Sequence, residues 1–229
     1  MKNLDNIFRD ARKKWGGNGS GSTYEKTRKL VEELACLIQE LDDGAAMQRK
    51  FRLLDFGCGD VGWMLPITEI VEYVGIDVVP EVVEMNRLLG VNCHLLTRDT
   101  VLPQADLIIC RDTLAHLSNV VAVDMLERMK RSGAKWLLAS HAVGVRNTDI
   151  KDGGFRALNL RGIPFRFPEP DRVISEGQGI KSMGLWEFSQ LMPHVAVERL
   201  VETPRAPAVT IPLPLPVSVE TAPEAFPGV

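Results

Sequence analysis

Asp55, Gly57, Gly59, Gly62 and Asp77 are the residues of this chain whose types and spacing carry chemistry. The three glycines spell G-x-G-x-x-G directly after a short apolar run, Leu53-Leu54. Such a run followed by glycines reads as a buried strand, a tight turn and the start of a helix. Glycines let the backbone come close to a ligand, and a helix N-terminus offers it N–H groups. Asp77 ends the next apolar stretch, 20 residues after Gly57, where a carboxylate can accept hydrogen bonds from ribose hydroxyls. Asp55 stands at the tip of the first strand, where it repels a pyrophosphate and favours a ligand carrying an ammonium or a sulfonium.

These residues need strands to hold them. A first strand that with its glycine turn occupies 51–62, a second over about 71–77, Val91–Leu96, Ala105–Cys110 and Lys135–Ser140 read as five short buried strands. Helical patterns lie between most of them. Pro80 opens one helix, with Val82, Val83, Met85, Leu88 and Leu89 as its expected buried face. A second is expected to start at Ser118 and run through Val121, Met125, Leu126 and Met129. Alternation of this kind predicts an α/β fold, a Rossmann-like doubly wound, mostly parallel sheet with helices on both faces. Ligands bind beyond the carboxyl ends of such strands. Asp55, Asp77, Asp99, Asp112 and the pair Ser140-His141 all fall there.

Ahead of this unit, Leu4, Ile7, Phe8 and Ala11 mark a weak amphipathic helix over 1–15, expected to pack on the domain edge. A glycine-rich loop, Trp15–Ser22, is read as a linker or a lid over the pocket. Ser22-Thr23-Tyr24-Glu25 matches a capping box, with Ser22 as the cap of a helix over 23–41. The organisation expected is therefore 1–45 as N-terminal helices and lid, 46–203 as the main domain with a flap at 144–181, and 204–229 as a proline-rich, disordered tail. That tail holds seven prolines in 26 residues. Met183–Met192 is read as a helix and Val195–Val201 as a last strand.

Composition excludes several classes. The 229 residues carry a net charge of −3, against a protein built to coat nucleic acid. There is no Asn/Asp-Pro-Pro-aromatic tetrapeptide and no Pro-Cys pair, so no nucleic-acid signature emerges. Cys36, Cys58, Cys93 and Cys110 form no C-x-x-C pair, which speaks against zinc or any other metal and against a disulfide framework. No run reaches the roughly 18 apolar residues of a membrane span, and the N-terminus lacks an apolar signal core. A cytoplasmic protein with no membrane partner is expected; the alternatives are a partner-binding role for the helix over 1–15 or for the proline-rich tail, which reads first as an unpacked segment.

The Asp-x-Gly-x-Gly pattern with a later ribose carboxylate resembles class I S-adenosylmethionine (SAM) methyltransferases more than nicotinamide dehydrogenases. More specifically, residues 15–192 resemble a bacterial methyltransferase group of poorly defined substrate. The resemblance rests on Trp15 to Thr27, on Gly59-Asp60-x-x-Trp63-Met64, on Cys110-Arg111-Asp112-x-Leu114-x-His116-Leu117, on Gly153-Gly154-Phe155-Arg156-x-Leu158-Asn159-Leu160 and on Leu185-Trp186.

The resemblance implies SAM as cofactor and roles by position. Asp55, Gly57 and Gly59, with Cys58 between them, line the methionyl portion. Asp77 holds the ribose, and the loop Thr97–Asp99 touches the adenine. Cys110 contributes backbone near the sulfonium, with Arg111 next to it. Many family members carry an acidic residue at the tip of the third strand; here Leu95 and Leu96 stand there, and Asp99 is the substitute.

Methyl transfer is an in-line displacement that alignment alone accelerates greatly. His116 is the first candidate for a general base and Asp112 a candidate for orienting the acceptor. His141 is a second base candidate, and His94 and His194 read as structural. Arg156, Arg161, Arg166 and Arg172 are candidates for an anionic acceptor, or a solvated and internally paired flap. The expected function is methyl transfer to an O or N atom of a small-molecule or saccharide-like acceptor. The alternatives are an NAD(P)-dependent oxidoreductase and a non-catalytic binding module.

Overall fold

The computed structural model describes residues 4–15, 22–42, 49–176, 180–191 and 209–210. The expected strand at 195–201, His194 and most of the glycine-rich loop and the tail lie outside them.

The strands are β1 (Arg52–Phe56), β2 (Glu72–Asp77), β3 (Cys93–Leu95), β4 (Thr100–Val101), β5 (Leu107–Cys110), β6 (Trp136–Ala142), β7 (Arg172–Ser175), β8 (Lys181–Glu187) and β9 (Val209–Thr210). The helices are α1 (Leu4–Trp15), α2 (Tyr24–Leu41), α3 (Leu65–Ile70), α4 (Pro80–Leu88) and α5 (Asn119–Arg131). Seven strands form one sheet in the order β3-β2-β1-β5-β6-β8-β7. The first five are parallel, and β8 pairs antiparallel with both β6 and β7. This is the Rossmann-like, doubly wound, mostly parallel α/β fold that the strand–helix alternation predicted.

Side chains alternate across the sheet, so each strand feeds two cores. Leu54, Phe56, Val74, Ile76, Ile108 and Leu137 pack on one face with α5. Leu53, Tyr73, Leu107, Ile109 and Leu138 pack on the other with α2. The switch point of the sheet falls between β1 and β5, which open a crevice at their carboxyl ends.

Several expectations are corrected. Met183–Leu191 is not a helix: Lys181–Glu187 is the antiparallel strand β8, followed by a 3₁₀ turn at Phe188–Gln190. Covered on both faces, β8 shows an unbroken apolar run, and periodicity cannot separate that from a short helix. Met85, Leu88 and Leu89 are exposed; α4 buries Val82, Val83 and Asn86 instead. Thr23, not Ser22, caps α2, and no side chain closes that cap. In the tail expected to be disordered, Val209–Thr210 pair in parallel with Thr100–Val101. Among the described residues no helix is long and apolar enough to cross a membrane.

Candidate active site

A cavity open to solvent lies at the carboxyl ends of β1, β2 and β5. Its wall includes Asp55, Gly57, Cys58, Gly59, Asp77, Arg111, Asp112 and His116. Eight of the ten residues expected at the site therefore meet in one place.

Two do not line it. Cys110 is buried among the sheet-to-α5 core residues, where desolvation pushes its thiol up to about 12. Asp99 lies in a turn that the Arg128 guanidinium holds by the carbonyls of Thr97 and Thr100 (3.0 and 2.7 Å). Leu96, not Asp99, reaches the cavity from this side.

Gly57 and Gly59 adopt φ of +75° and +56°, the left-handed region. At Gly57 a Cβ would come within 2.2 Å of Thr113 Oγ1, so the turn needs glycine for space as well as for conformation. Gly62 plays no such part: it is exposed and outside the cavity. The segment after Gly59 is a 3₁₀ turn at Val61–Trp63, and α3 starts only at Leu65 and is six residues long. The early amides are already engaged. Gly59 N–H donates to Asp77 Oδ2, Val61 N–H to Asn86 Oδ1 and Gly62 N–H to Asp60 Oδ1. The helix start expected to offer N–H groups to a ligand is therefore spent on the protein itself.

Asp55 is buried at the floor and accepts a hydrogen bond from Tyr73 Oη at 2.8 Å. Burial raises its carboxyl to about 7, against the Tyr73 hydrogen bond, which favours the charged form. Asp77 accepts from the Gly59 and Val79 amides at 3.0 and 2.9 Å. Its carboxyl too is raised by burial, which outweighs these amides.

Arg111 and Asp112, on the opposite wall, are held by charged partners behind it. The side chain of Arg111 reaches Glu176 Oε2 through Nη2 at 2.6 Å and Ser22 Oγ through Nη1 at 2.9 Å, and its guanidinium lies 5.3 Å from the Trp63 ring centre. Lys181 bridges Asp112 and Glu176 at 2.5 and 3.1 Å. Asp112 is itself left-handed, φ +61°, and is locked from both ends by Ser140. Its amide donates to Ser140 Oγ at 2.9 Å, and Ser140 Oγ donates to its Oδ1 at 3.2 Å. A non-glycine residue held in this region marks local strain of the kind found at functional sites.

His116 follows in the 3₁₀ turn after β5. Its Nδ1 lies 2.6 Å from the Gly154 carbonyl. A carbonyl only accepts, so Nδ1 carries the proton and Nε2 is the basic nitrogen. Burial lowers its pKa, and the Gly154 bond opposes this. His141, the second base candidate, is excluded by its position. It is buried on β6 against Trp186, with Nδ1 accepting from the Leu160 amide. His94 is structural, bonded to Asn92 at 2.8 Å.

The flap is pinned rather than loose. Gly153 and Arg156 amides donate to the His116 and Ala115 carbonyls. Asp152 and Asp149 accept from the Ser118 and Asn119 amides, closing the N-terminus of α5 in place of the Ser118 side chain. Arg161 pairs with Glu169, Arg172 with Glu40, and Arg156 is buried beside Asp149, so these arginines follow the internally paired reading.

Sequence reasoning missed Tyr73, Glu176 and Lys181; it found helix α1 but not its place at the cavity. Leu4, Phe8 and Arg12 of α1 line the cavity, so this helix roofs the site instead of packing on the domain edge. Leu4 and Phe8, one helical turn apart, were visible as its apolar stripe. Nothing local signalled the others.

No protein-family model matches this chain, and no curated protein matches it. Among solved structures it is similar to magnesium protoporphyrin IX methyltransferase from Synechocystis PCC 6803 with bound SAM (15% identity, 81% of this chain and 90% of that chain, TM-score 0.47). It is also similar to the N-terminal domain of EvdMO1 with S-adenosylhomocysteine (SAH) bound (13% identity, 81% and 96% covered, TM-score 0.48). A third is N-methyltransferase NodS from Bradyrhizobium japonicum WM9 in complex with SAH (14% identity, 60% and 74% covered, TM-score 0.44).

Proposed function

We propose that this protein is a SAM-dependent methyltransferase acting on an O or N atom of a small-molecule or saccharide-like acceptor. The observation that carries this reading is the buried carboxyl of Asp55 in a cavity whose glycine turn spends the Gly59, Val61 and Gly62 amides on the protein itself. A pyrophosphate needs such amides and is repelled by a carboxylate there, whereas an α-ammonium and a sulfonium are attracted by it. Asp77 suits the ribose of either cofactor.

Bound there, SAM supplies an electrophilic methyl group on a cationic sulfur. Asp55 and the Gly57–Gly59 turn bind its amino-acid end, Asp77 accepts the ribose hydroxyls and Leu96 bounds the base. Asp112, fixed by Lys181 and Ser140, orients the acceptor. His116 Nε2 takes the proton that the acceptor loses. Helix α1 covers the site and excludes water.

Calorimetric titration of the full chain with SAH, and with NAD in parallel, tests the reading. Micromolar binding of SAH alone is expected. Binding of NAD alone sinks it in favour of an oxidoreductase, and binding of neither points to a non-catalytic module.

A further inference from the structure

Two thiols that methyl transfer leaves unused face one another at the glycine turn. Cys58 Sγ and Cys93 Sγ lie 3.5 Å apart, both buried and both free. Cys58 stands between Gly57 and Gly59 on the wall of the open cavity, and Cys93 begins β3. Room for this approach is built in. Gly75 is opposite Cys93 in the β2–β3 register, and a Cβ there would lie 3.1 Å from Cys58 Sγ. Asn86, buried on α4, donates through Nδ2 to the Gly59 carbonyl at 2.8 Å and reaches both sulfurs, at 3.7 and 3.6 Å. A donor aimed at both sulfurs favours a thiolate on either. The other cysteines are placed differently: Cys36 is exposed on α2, and Cys110 is packed in the core on the other face of the sheet. The turn that carries Cys58 is tied at several points. The Gly57 and Cys58 amides both donate to the Ile76 carbonyl, at 2.9 and 3.0 Å, and the Gly59 amide donates to Asp77. A displacement of Cys58 is therefore passed on to Asp77.

We propose that Cys58 and Cys93 are a redox-modification site: a hydroperoxide entering the cavity converts them to a reversible disulfide that pulls on the glycine turn and weakens cofactor binding. One sulfur, as thiolate, attacks an oxygen of the hydroperoxide. The oxygen–oxygen bond breaks, a sulfenic acid forms, and the departing alkoxide or hydroxide takes up the proton that the thiol released. The second thiol then attacks the sulfenic sulfur. A sulfur–sulfur bond forms, and the hydroxyl leaves as water with the second thiol's proton. Two electrons pass from the thiol pair to the hydroperoxide, and a dithiol reductant returns them by exchange. Bonding brings the sulfurs from 3.5 Å to about 2 Å, a shift that the Gly59–Asp77 bond feels directly. The effect on the cofactor rests on the methyl-transfer reading above; the cross-link does not.

The test uses the full chain carrying Cys36→Ser, which removes the exposed thiol. It is treated with hydrogen peroxide in native buffer, with and without saturating SAH, then alkylated under denaturing conditions, digested and mapped by mass spectrometry. A Cys58–Cys93 cross-linked peptide is expected, lost on treatment with dithiothreitol and slower to form when SAH fills the cavity, with Cys110 alkylated throughout. By calorimetry, SAH affinity should fall at least tenfold in the oxidised chain and return on reduction. Cys93→Ala should bind SAH like the reduced parent, so that the new bond and not the lost thiol accounts for the fall. Absence of the cross-link, or oxidation of Cys110 as readily as of the pair, overturns the site. A cross-link that leaves SAH affinity unchanged overturns its effect on the cofactor. A reduced chain that binds no SAH overturns the methyl-transfer reading instead, and the cross-link alone then decides the thiol pair.

Discussion

Tyr73 Oη donates a 2.8 Å hydrogen bond to Asp55 Oδ2 across the floor of the cavity, joining β2 to β1 beneath the place where a cationic ligand belongs. The bond does not offset burial: the Asp55 carboxyl is raised from 3.8 to about 7. Between those values the folded protein holds a proton that the unfolded chain has released. Stability of the ligand-free protein therefore falls as pH rises from about 4 to 7 and levels off above, with a ceiling of about 4 kcal/mol. Thermal melts across this range should show the decline, and Asp55→Asn should weaken it, leaving the share of Asp77, whose carboxyl burial also raises. A bound cation favours the ionised form, so SAH affinity should rise over the same window and binding should release protons to the buffer. Binding and melts that ignore pH in this range would falsify the assignment.

Asp77→Ala should weaken SAH binding by about 1–3 kcal/mol, the value of a charged hydrogen bond in a desolvated site. The same carboxylate ties the Gly59 and Val79 amides, so part of the loss is the turn relaxing. Calorimetry on Asp77→Ala and Asp77→Asn separates charge from positioning. Equal affinity in the wild type and both variants removes the ribose role.

His116→Ala should lower kcat by about 100-fold or more at saturating SAM, the range for loss of a general base. Because burial holds the imidazole below its usual 6.5, the competent neutral form is present from slightly acid pH upward. The rate should therefore rise through a pKa below 6.5 and stay flat to about pH 8. A limb that rises above 7 would assign the base elsewhere.

Gly57→Ala should destabilise the fold by roughly 2 kcal/mol or more, combining a left-handed backbone with a contact of 2.2 Å to Thr113 Oγ1. Thr113→Ala in the same chain should recover the steric part and leave the conformational part. Additive losses in denaturant melts would show that the two residues do not meet.

Arg111→Ala takes one of two cations from the buried Glu176, Lys181 remaining at 3.1 Å, and should cost less than the roughly 3–5 kcal/mol of a fully broken buried pair. Glu176→Gln, which keeps the shape, should cost less. Denaturant midpoints of the two variants give the comparison.

What was readable in the sequence was what is local. Asp55, the glycine turn and Asp77 are consecutive parts of one strand–turn–helix–strand unit, so spacing alone placed them. Arg111 and Glu176 are 65 positions apart and meet only because β7 folds back along β8. Tyr73 looked like any apolar residue of a buried strand until register set it two places from Asp55 on the same face. Ser22 matched a capping box, but its hydroxyl is taken by Arg111, a tertiary partner that overrides the local one. The misreading of β8 has the same origin. Gly184 leaves room for the Trp186 ring, which would lie 2.3 Å from a Cβ there, and that packing is invisible to a periodicity rule.

The attachment of Asp149 and Asp152 to the first amides of α5 bears on how recognition works in time. A flap fastened to a core helix moves only when that helix moves. The outline of this face is thus set before any encounter, and what meets it is selected by fit at rest rather than by rearrangement after contact.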